Sequence, residues 1–276
     1  ARYGIDRAVD SLFGVTKDSL STLWQNAVKN TYKPFIKDSI KPVGKSLFTA
    51  ENSGELNLSP VLSPDGKYVT FLTNKNVISI DLMIANTKTR EIIKKLTSTV
   101  RQSHIDDFNY IESSGAWSPD GNRYVLTTFS KGRNKLLIAN VGRDNAKVKE
   151  EITLEGVESF NNPEWSPDGD KILLNGLVQG QSDLYVYNLK EEEVVQLTND
   201  RYSDLHASWS SDGEKVVFIS DRGNDTDLSQ QKFGKYRLCT LDVKTKQVEV
   251  LDVFADSDIY SPNFSAEDTA IYFLSH

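Results

Sequence analysis

One cysteine, three histidines and the lack of any long apolar run set the first limits on this 276-residue sequence. With Cys239 alone, an internal disulfide is impossible and a cysteine-built zinc cage is excluded. Its neighbours Tyr236-Arg237-Leu238 and Thr240-Leu241 read as an apolar strand, so the thiol is expected to be buried packing. No stretch approaches the roughly 20 apolar residues of a spanning helix, and no membrane insertion is expected of this chain. Net positive charge is lacking too: a total of −7 argues against nucleic-acid binding, which needs clustered Lys and Arg. The charge is unevenly placed, with +4 in residues 1–50 and −11 in the other 226, so two electrostatically different segments are joined.

Catalytic constellations are missing as well. A zinc peptidase of the His-Glu-x-x-His kind sets two imidazoles one helical turn apart with a Glu to activate water. Here His104 is followed by Ile105-Asp106-Asp107-Phe108, and only His206 and His276 remain. No Gly-x-Ser-x-Gly elbow presents a serine nucleophile. Val43-Gly44-Lys45-Ser46 imitates the end of a phosphate loop, but Ser39 stands where its first glycine belongs. Asp221-Arg222-Gly223-Asn224-Asp225-Thr226-Asp227 is rich in oxygen yet lacks the Glu and spacing of an EF-hand, and reads as a polar turn. No metal, no cofactor and no catalytic residue is expected.

What is present divides at about residue 50. Leu20, Leu23, Trp24, Ala27 and Val28 form one stripe of a 3.6-residue period, with Thr16 as N-cap, Asp18 in the first turn and Gly14 closing a shorter helix from Ile5 to Phe13. Pro34 and Pro42 interrupt the helical run. Beyond about residue 55, short β-branched and aromatic runs alternate with Gly, Pro, Asn and Asp.

These runs repeat. Leu62-Ser63-Pro64-Asp65-Gly66, Trp117-Ser118-Pro119-Asp120-Gly121, Trp165-Ser166-Pro167-Asp168-Gly169 and Trp209-Ser210-Ser211-Asp212-Gly213 are followed by a decayed copy, Phe264-Ser265-Ala266-Glu267-Asp268. Their serines lie 55, 48, 44 and 55 residues apart, the length of a four-stranded propeller blade. Pro presets φ, Asp bonds back to the backbone and Gly takes positive φ, so each motif is a hairpin turn between a blade's first two strands. Third strands are read at Ile78 to Ile84, Lys135 to Asn140, Leu184 to Leu189 and Arg237 to Val243, and fourth strands end at Leu96-Thr97 and Leu197-Thr198. The large residue before each turn, Leu62, Trp117, Trp165, Trp209 or Phe264, is expected to pack between neighbouring blades.

Pro163-Glu164-Trp165-Ser166-Pro167-Asp168-Gly169, with Asp183-Leu184-Tyr185 and Leu197-Thr198, resembles the TolB-like propeller repeat family. The expected fold is therefore an all-β, TolB-like β-propeller over residues 55–276, with about five blades represented and the last incomplete. Residues 1–50 are read as a helical segment and linker. Asp6, Ala8, Phe13, Gly14, Leu20, Leu23 and Trp24 resemble the end of a gluzincin-type peptidase domain, which would lie upstream. Because the sequence stops at Ser275-His276, after the second strand of a blade, the natural protein is expected to continue.

The resemblance implies a protein- or peptide-binding module in the periplasm or envelope of a Gram-negative bacterium, without catalysis of its own. The alternative is a substrate-gating propeller of a larger zinc metallopeptidase. Three residues before each pre-turn residue stand Ser59, Ser114, Asn162, His206 and Ser261, all polar, expected at the entrance of each innermost strand as a ring around the channel mouth. Capping of strand ends or turn backbones is the structural alternative. A second candidate surface is the long connection from Ser98 to Ser114, carrying His104, Asp106, Asp107, Phe108 and Tyr110.

Overall fold

The computed structural model describes residues 5–33, 46–75, 80–98, 107–108, 115–141, 146–251, 253–254 and 256–275. The chain falls into two compact units, Ala1–Ser46 and Leu47–His276. In the first, α1 (Ile5–Phe13) stops at Gly14, whose φ of +65° is the left-handed conformation that closes a helix. α2 (Lys17–Tyr32) starts behind Thr16, whose Oγ1 accepts from the Ser19 N–H at 3.2 Å, and Asp18 sits in the first turn. Neither helix buries a residue, and Leu12, Phe13, Leu23 and Trp24 are exposed. Pro34, Pro42 and Val43-Gly44-Lys45 lie outside the described residues.

In the second unit a short helix, α3 (Ala50–Ser53), precedes the first blade, an antiparallel meander of β1 (Asn57–Leu62), β2 (Tyr68–Thr73), β3 (Asp81–Asn86) and β4 (Ile92–Ser98). In the second blade β5 (Asp107–Phe108) and β6 (Ala116–Trp117) both pair with β7 (Arg123–Ser130), followed by β8 (Arg133–Val141) and β9 (Ala146–Ile152). The third is β10 (Ser159–Trp165), β11 (Lys171–Val178), β12 (Gln181–Asn188) and β13 (Glu193–Gln196). The fourth is β14 (Asp204–Trp209), β15 (Lys215–Ser220), β16 (Arg237–Asp242) and β17 (Val248–Leu251). A fifth hairpin joins β18 (Ile259–Phe264) to β19 (Ile271–Ser275). Third strands thus fall where the sequence places them, apart from Ile78, which lies outside the described residues.

The turns explain the repeat chemically. In the first, the Ser63 N–H donates to Tyr68 O at 2.9 Å, the Ser63 hydroxyl donates to Asp65 Oδ1 at 2.7 Å, and that same hydroxyl accepts the Tyr68 N–H at 3.0 Å. Asp65 Oδ1 also accepts the Lys67 N–H at 3.1 Å. The same bonds recur around Ser118, Ser166 and Ser210, and the turn glycines have φ between +66° and +72°. Ser, Asp and Gly are therefore each needed by backbone geometry. In the decayed fifth copy Asp268 takes the glycine's place at φ +53°.

The second strand of each of the first four blades is buried on both faces, which is why it reads as a nearly unbroken apolar run. Tyr124 and Leu126 of β7 join Leu72, Leu82 and Ile84 of the preceding blade. Val125, between them, joins Trp165, Ile172 and Leu174 of the following one. Leu173 and Val217 extend the same alternation to the third and fourth joints. Successive first strands also contact one another, β1 with β6, β6 with β10, β10 with β14 and β14 with β18.

The pre-turn residue reaches back onto the preceding blade. Trp117 Nε1 donates to Val61 O and Trp165 Nε1 to Ala116 O, both at 3.2 Å. Trp117, Trp165 and Trp209 are buried as expected, and Phe264 is partly buried against its joint. Leu62 departs from the expectation: it is 60% exposed, because no described blade precedes the first.

At the third joint the pattern changes. Glu164 stands before Trp165, and its Oε1 accepts from Ser208 Oγ at 3.0 Å and from the Trp209 N–H at 3.2 Å. Trp209 Nε1, although buried, has no partner among the described residues. Burial pushes the Glu164 carboxyl from 4.5 up to about 7, outweighing those two hydrogen bonds. The folded state then holds a proton that the unfolded chain releases, so this group lowers stability as pH rises from about 4.5 to 7. Glu164→Gln is expected to flatten that part of the stability profile and to raise stability at pH 8, as read by urea titration across pH.

Candidate functional site

The polar residues three places before each pre-turn residue share a backbone state. Ser59, Asn162, His206 and Ser261 have φ of +48°, +48°, +53° and +47°, the left-handed region. Each sits at a register shift of its first strand: Leu58/Val61, Asn161/Glu164, Leu205/Ser208 and Tyr260/Asn263. They are β-bulges, which kink the strand and re-aim a side chain. The structure therefore places them inside the first strands and not at strand entrances, as third residue of β1, β14 and β18 and fourth of β10. Ser, Asn and His tolerate this conformation better than branched or bulky residues do. Pro60, Pro163 and Pro262 follow three of them, so a small polar residue before proline was the signal in the sequence.

Neighbouring bulges are linked. His206 Nδ1 accepts the Ser261 N–H at 3.3 Å, across the joint between the fourth and fifth blades. Acceptance at Nδ1 requires the ring proton to be on Nε2, and a doubly protonated imidazole could not make this bond. Ser59→Gly and Ser261→Gly should keep stability level or raise it by up to about 1 kcal/mol, whereas Val at either site should lower it by about 1–3 kcal/mol. Thermal unfolding of the four variants measures this.

The second blade differs. Ser114, His104, Asp106 and Tyr110 lie outside the described residues. Asp107 and Phe108 form β5, pairing Asp107 with Phe129 and Phe108 with Thr128. Part of the expected Ser98–Ser114 loop, Asp107 and Phe108, is thus first-strand ladder. Gly115, at φ +114°, packs so closely on β7 that an added Cβ would lie 2.1 Å from Val125 O.

A polar cluster that the motifs only hinted at fastens the third blade to the fourth. Asp183 of Asp183-Leu184-Tyr185 accepts from Thr198 Oγ1 at 3.2 Å and from Gln196 Nε2 at 3.1 Å, while Thr198 Oγ1 accepts the Leu184 N–H at 2.9 Å. That exchange is why Asp-x-Tyr and Leu-Thr occur together. Burial, then the neighbouring Asp204 charge, pushes the Asp183 carboxyl up to about 6. Asp204, fully buried, takes both oxygens to Arg222 Nη2 at 2.7 Å, and Arg222 Nη1 meets Asp200 at 3.1 Å. Pairs separated by 18 and 22 residues have no periodic signature. In the Asp221–Asp227 turn, Asp225 is held by Arg237 at 2.7 Å and Asp227 caps a 3-10 turn, Leu228–Gln230. Among the described residues no group of His, Cys, Asp and Glu is placed to hold a metal. Cys239 is buried, and burial pushes its thiol up to about 12.

Four meander sheets and a fifth hairpin, with successive first strands in contact, define a β-propeller repeat protein. The propeller resembles the TolB-like family: residues 101–233 match the family model described as TolB beta propeller domain. TolB from Acinetobacter baumannii is similar in structure, with TM-score 0.55 and 17% identity over 84% of this chain and 56% of that one. The β-propeller domain of the Trilobed protease from Pyrococcus furiosus gives TM-score 0.54 and 16% identity over 80% of this chain and 63% of that one. Puromycin hydrolase gives 0.56 and 15% identity over 79% of this chain and 34% of that chain. The chain thus spans less than two thirds of these three structures. No curated protein sequence matches it. No helix among the described residues is long and apolar enough to cross a membrane.

Proposed function

We propose that this propeller is a non-catalytic protein- or peptide-binding module of a Gram-negative cell envelope, working in the periplasm. The observation that carries the reading is the recurrence of one strained, polar bulge on four first strands, at Ser59, Asn162, His206 and Ser261. Strained non-glycine residues persist where surrounding structure over-determines them, and they cluster at binding sites. Ser114 belongs to the same ring by its place in the repeat, and the connection with His104, Asp106, Asp107 and Tyr110 is a second contact surface. The likeness to TolB from Acinetobacter baumannii supports the fold on which the reading rests.

Glycine offers a clean test, because it keeps positive φ and removes the side chain. A Ser59→Gly, Asn162→Gly, His206→Gly, Ser261→Gly variant should keep its circular dichroism and lose the proteins that the parent chain retains from envelope extract. Unchanged retention would remove the ring from the binding site. Peptide hydrolysis by the purified chain, lost on substitution of a residue named here, would overturn the non-catalytic reading.

A second reading, a substrate-gating propeller within a larger zinc metallopeptidase, is favoured by the likeness to the propeller domain of the Trilobed protease. An upstream His-Glu-x-x-His in the parent reading frame is what it requires.

A further inference from the structure

One joint of the propeller is filled by the chain itself and the next is open. Between the second and third blades Arg123 lies over Trp165, its guanidinium carbon 4.3 Å from the ring centroid, and Nη2 donates to Gly169 O at 2.9 Å. Arg123 is the second residue after its turn glycine. Between the first and second blades the residue at that place is Tyr68, the ring is Trp117 and the carbonyl is that of Gly121. There a groove of about 420 Å³ opens between the Ser63–Gly66 and Ser118–Gly121 turns, with Trp117 in its wall. That volume lies within the range of about 300–1,000 Å³ usual for ligand pockets.

The parts that hold Arg123 are duplicated in the groove. Trp117 is fixed by the same indole bond to the preceding blade as Trp165, at 3.2 Å in both. No described residue donates to the Gly121 carbonyl. Two carboxylates line the groove, Asp65 and Asp120. Asp65 is paired with Lys67 at 2.8 Å, whereas Asp120 accepts only from Ser118 and Asn122 and has no ion-pair partner among the described residues. Hydrogen bonding from Ser118 holds the Asp120 carboxyl below the usual range, so it is ionised at neutral pH.

We propose that this groove receives an arginine side chain from a peptide partner, with the guanidinium stacked on Trp117 and bonded to the Gly121 carbonyl and Asp120. A guanidinium suits it better than an ammonium, because it is planar, stacks on an indole and directs several donors at once. The site lies at the turn end of the first strands and uses none of the bulge residues. It rests on the proposed function only in taking a polypeptide as partner.

The test is titration of the intact chain with acetyl-Ala-Arg-Ala-amide, following the Trp117 indole N–H by NMR. A saturable shift is expected, with at least about tenfold weaker binding of the citrulline and lysine analogues. Tyr68→Arg should fill the groove from within and abolish the shift, and Asp120→Asn, whose amide oxygen still accepts from the Ser118 hydroxyl and the Asn122 N–H, should weaken binding while leaving the fold intact. The four-glycine bulge variant should bind the peptide as the parent does, so loss of the envelope partner and loss of this site are read separately. No saturable shift, equal binding of the lysine or citrulline peptide, or an undiminished shift in both Tyr68→Arg and Asp120→Asn would overturn the proposal.

Discussion

Replacing Arg222 with methionine is expected to destabilise the propeller by about 3–5 kcal/mol, because it leaves the Asp204 carboxylate buried without its cation. The pair itself is not the source of that figure. Two ions withdrawn from water gain little net stability from each other, and a buried pair replaced by apolar residues of similar volume is often neutral. Arg222→Met with Asp204→Leu should therefore recover most of the loss. Asp200 and Ser220, which also bond to Arg222, make full recovery unexpected. Burial already raises the Asp204 carboxyl above its ordinary value, against the pull of Arg222. Without the arginine it rises further, so the deficit of the single variant should grow with pH from 5 to 8, since the folded state then resists losing its proton. Urea unfolding of the single and double variants measures both effects, and a single-variant loss under about 1 kcal/mol would mean that Asp204 is hydrated.

Trp165→Ala should cost a similar amount, about 3–5 kcal/mol. Trp165 is 4% exposed, sits in the core shared by the second and third blades, and supports the Arg123 guanidinium. Truncation leaves a void, strips Ala116 O of its donor and leaves Arg123 without its ring. Leu62 occupies the same place in the first repeat and is 60% exposed. Leu62→Ala should change stability by no more than about 0.5 kcal/mol. Equal losses at the two positions would contradict the assignment of pre-turn residues to blade joints.

The contrast between Leu62 and Trp165 marks how far the sequence can be read. Period, turn chemistry and strand order were legible because each turn demands Ser, Asp and a positive-φ residue at fixed offsets. The ring positions were legible as polar residues, but their cause was not: a bulge is a register shift between two strands, and single-strand alternation does not display it. The dipeptide strand at Asp107 and Phe108 is too short to carry a period. Asp204 with Arg222 is a contact through space, and the groove beside Trp117 forms between two turns whose serines are 55 residues apart.

The account depends most on neighbouring first strands bringing their bulges together about one axis. The bond from the Ser261 N–H to His206 Nδ1 spans such a joint and can be observed directly, as a scalar coupling between the two nitrogens in ¹⁵N-labelled protein. The structure predicts that coupling at neutral pH, with the imidazole proton on Nε2. A protonated Nδ1 and no coupling would contradict it.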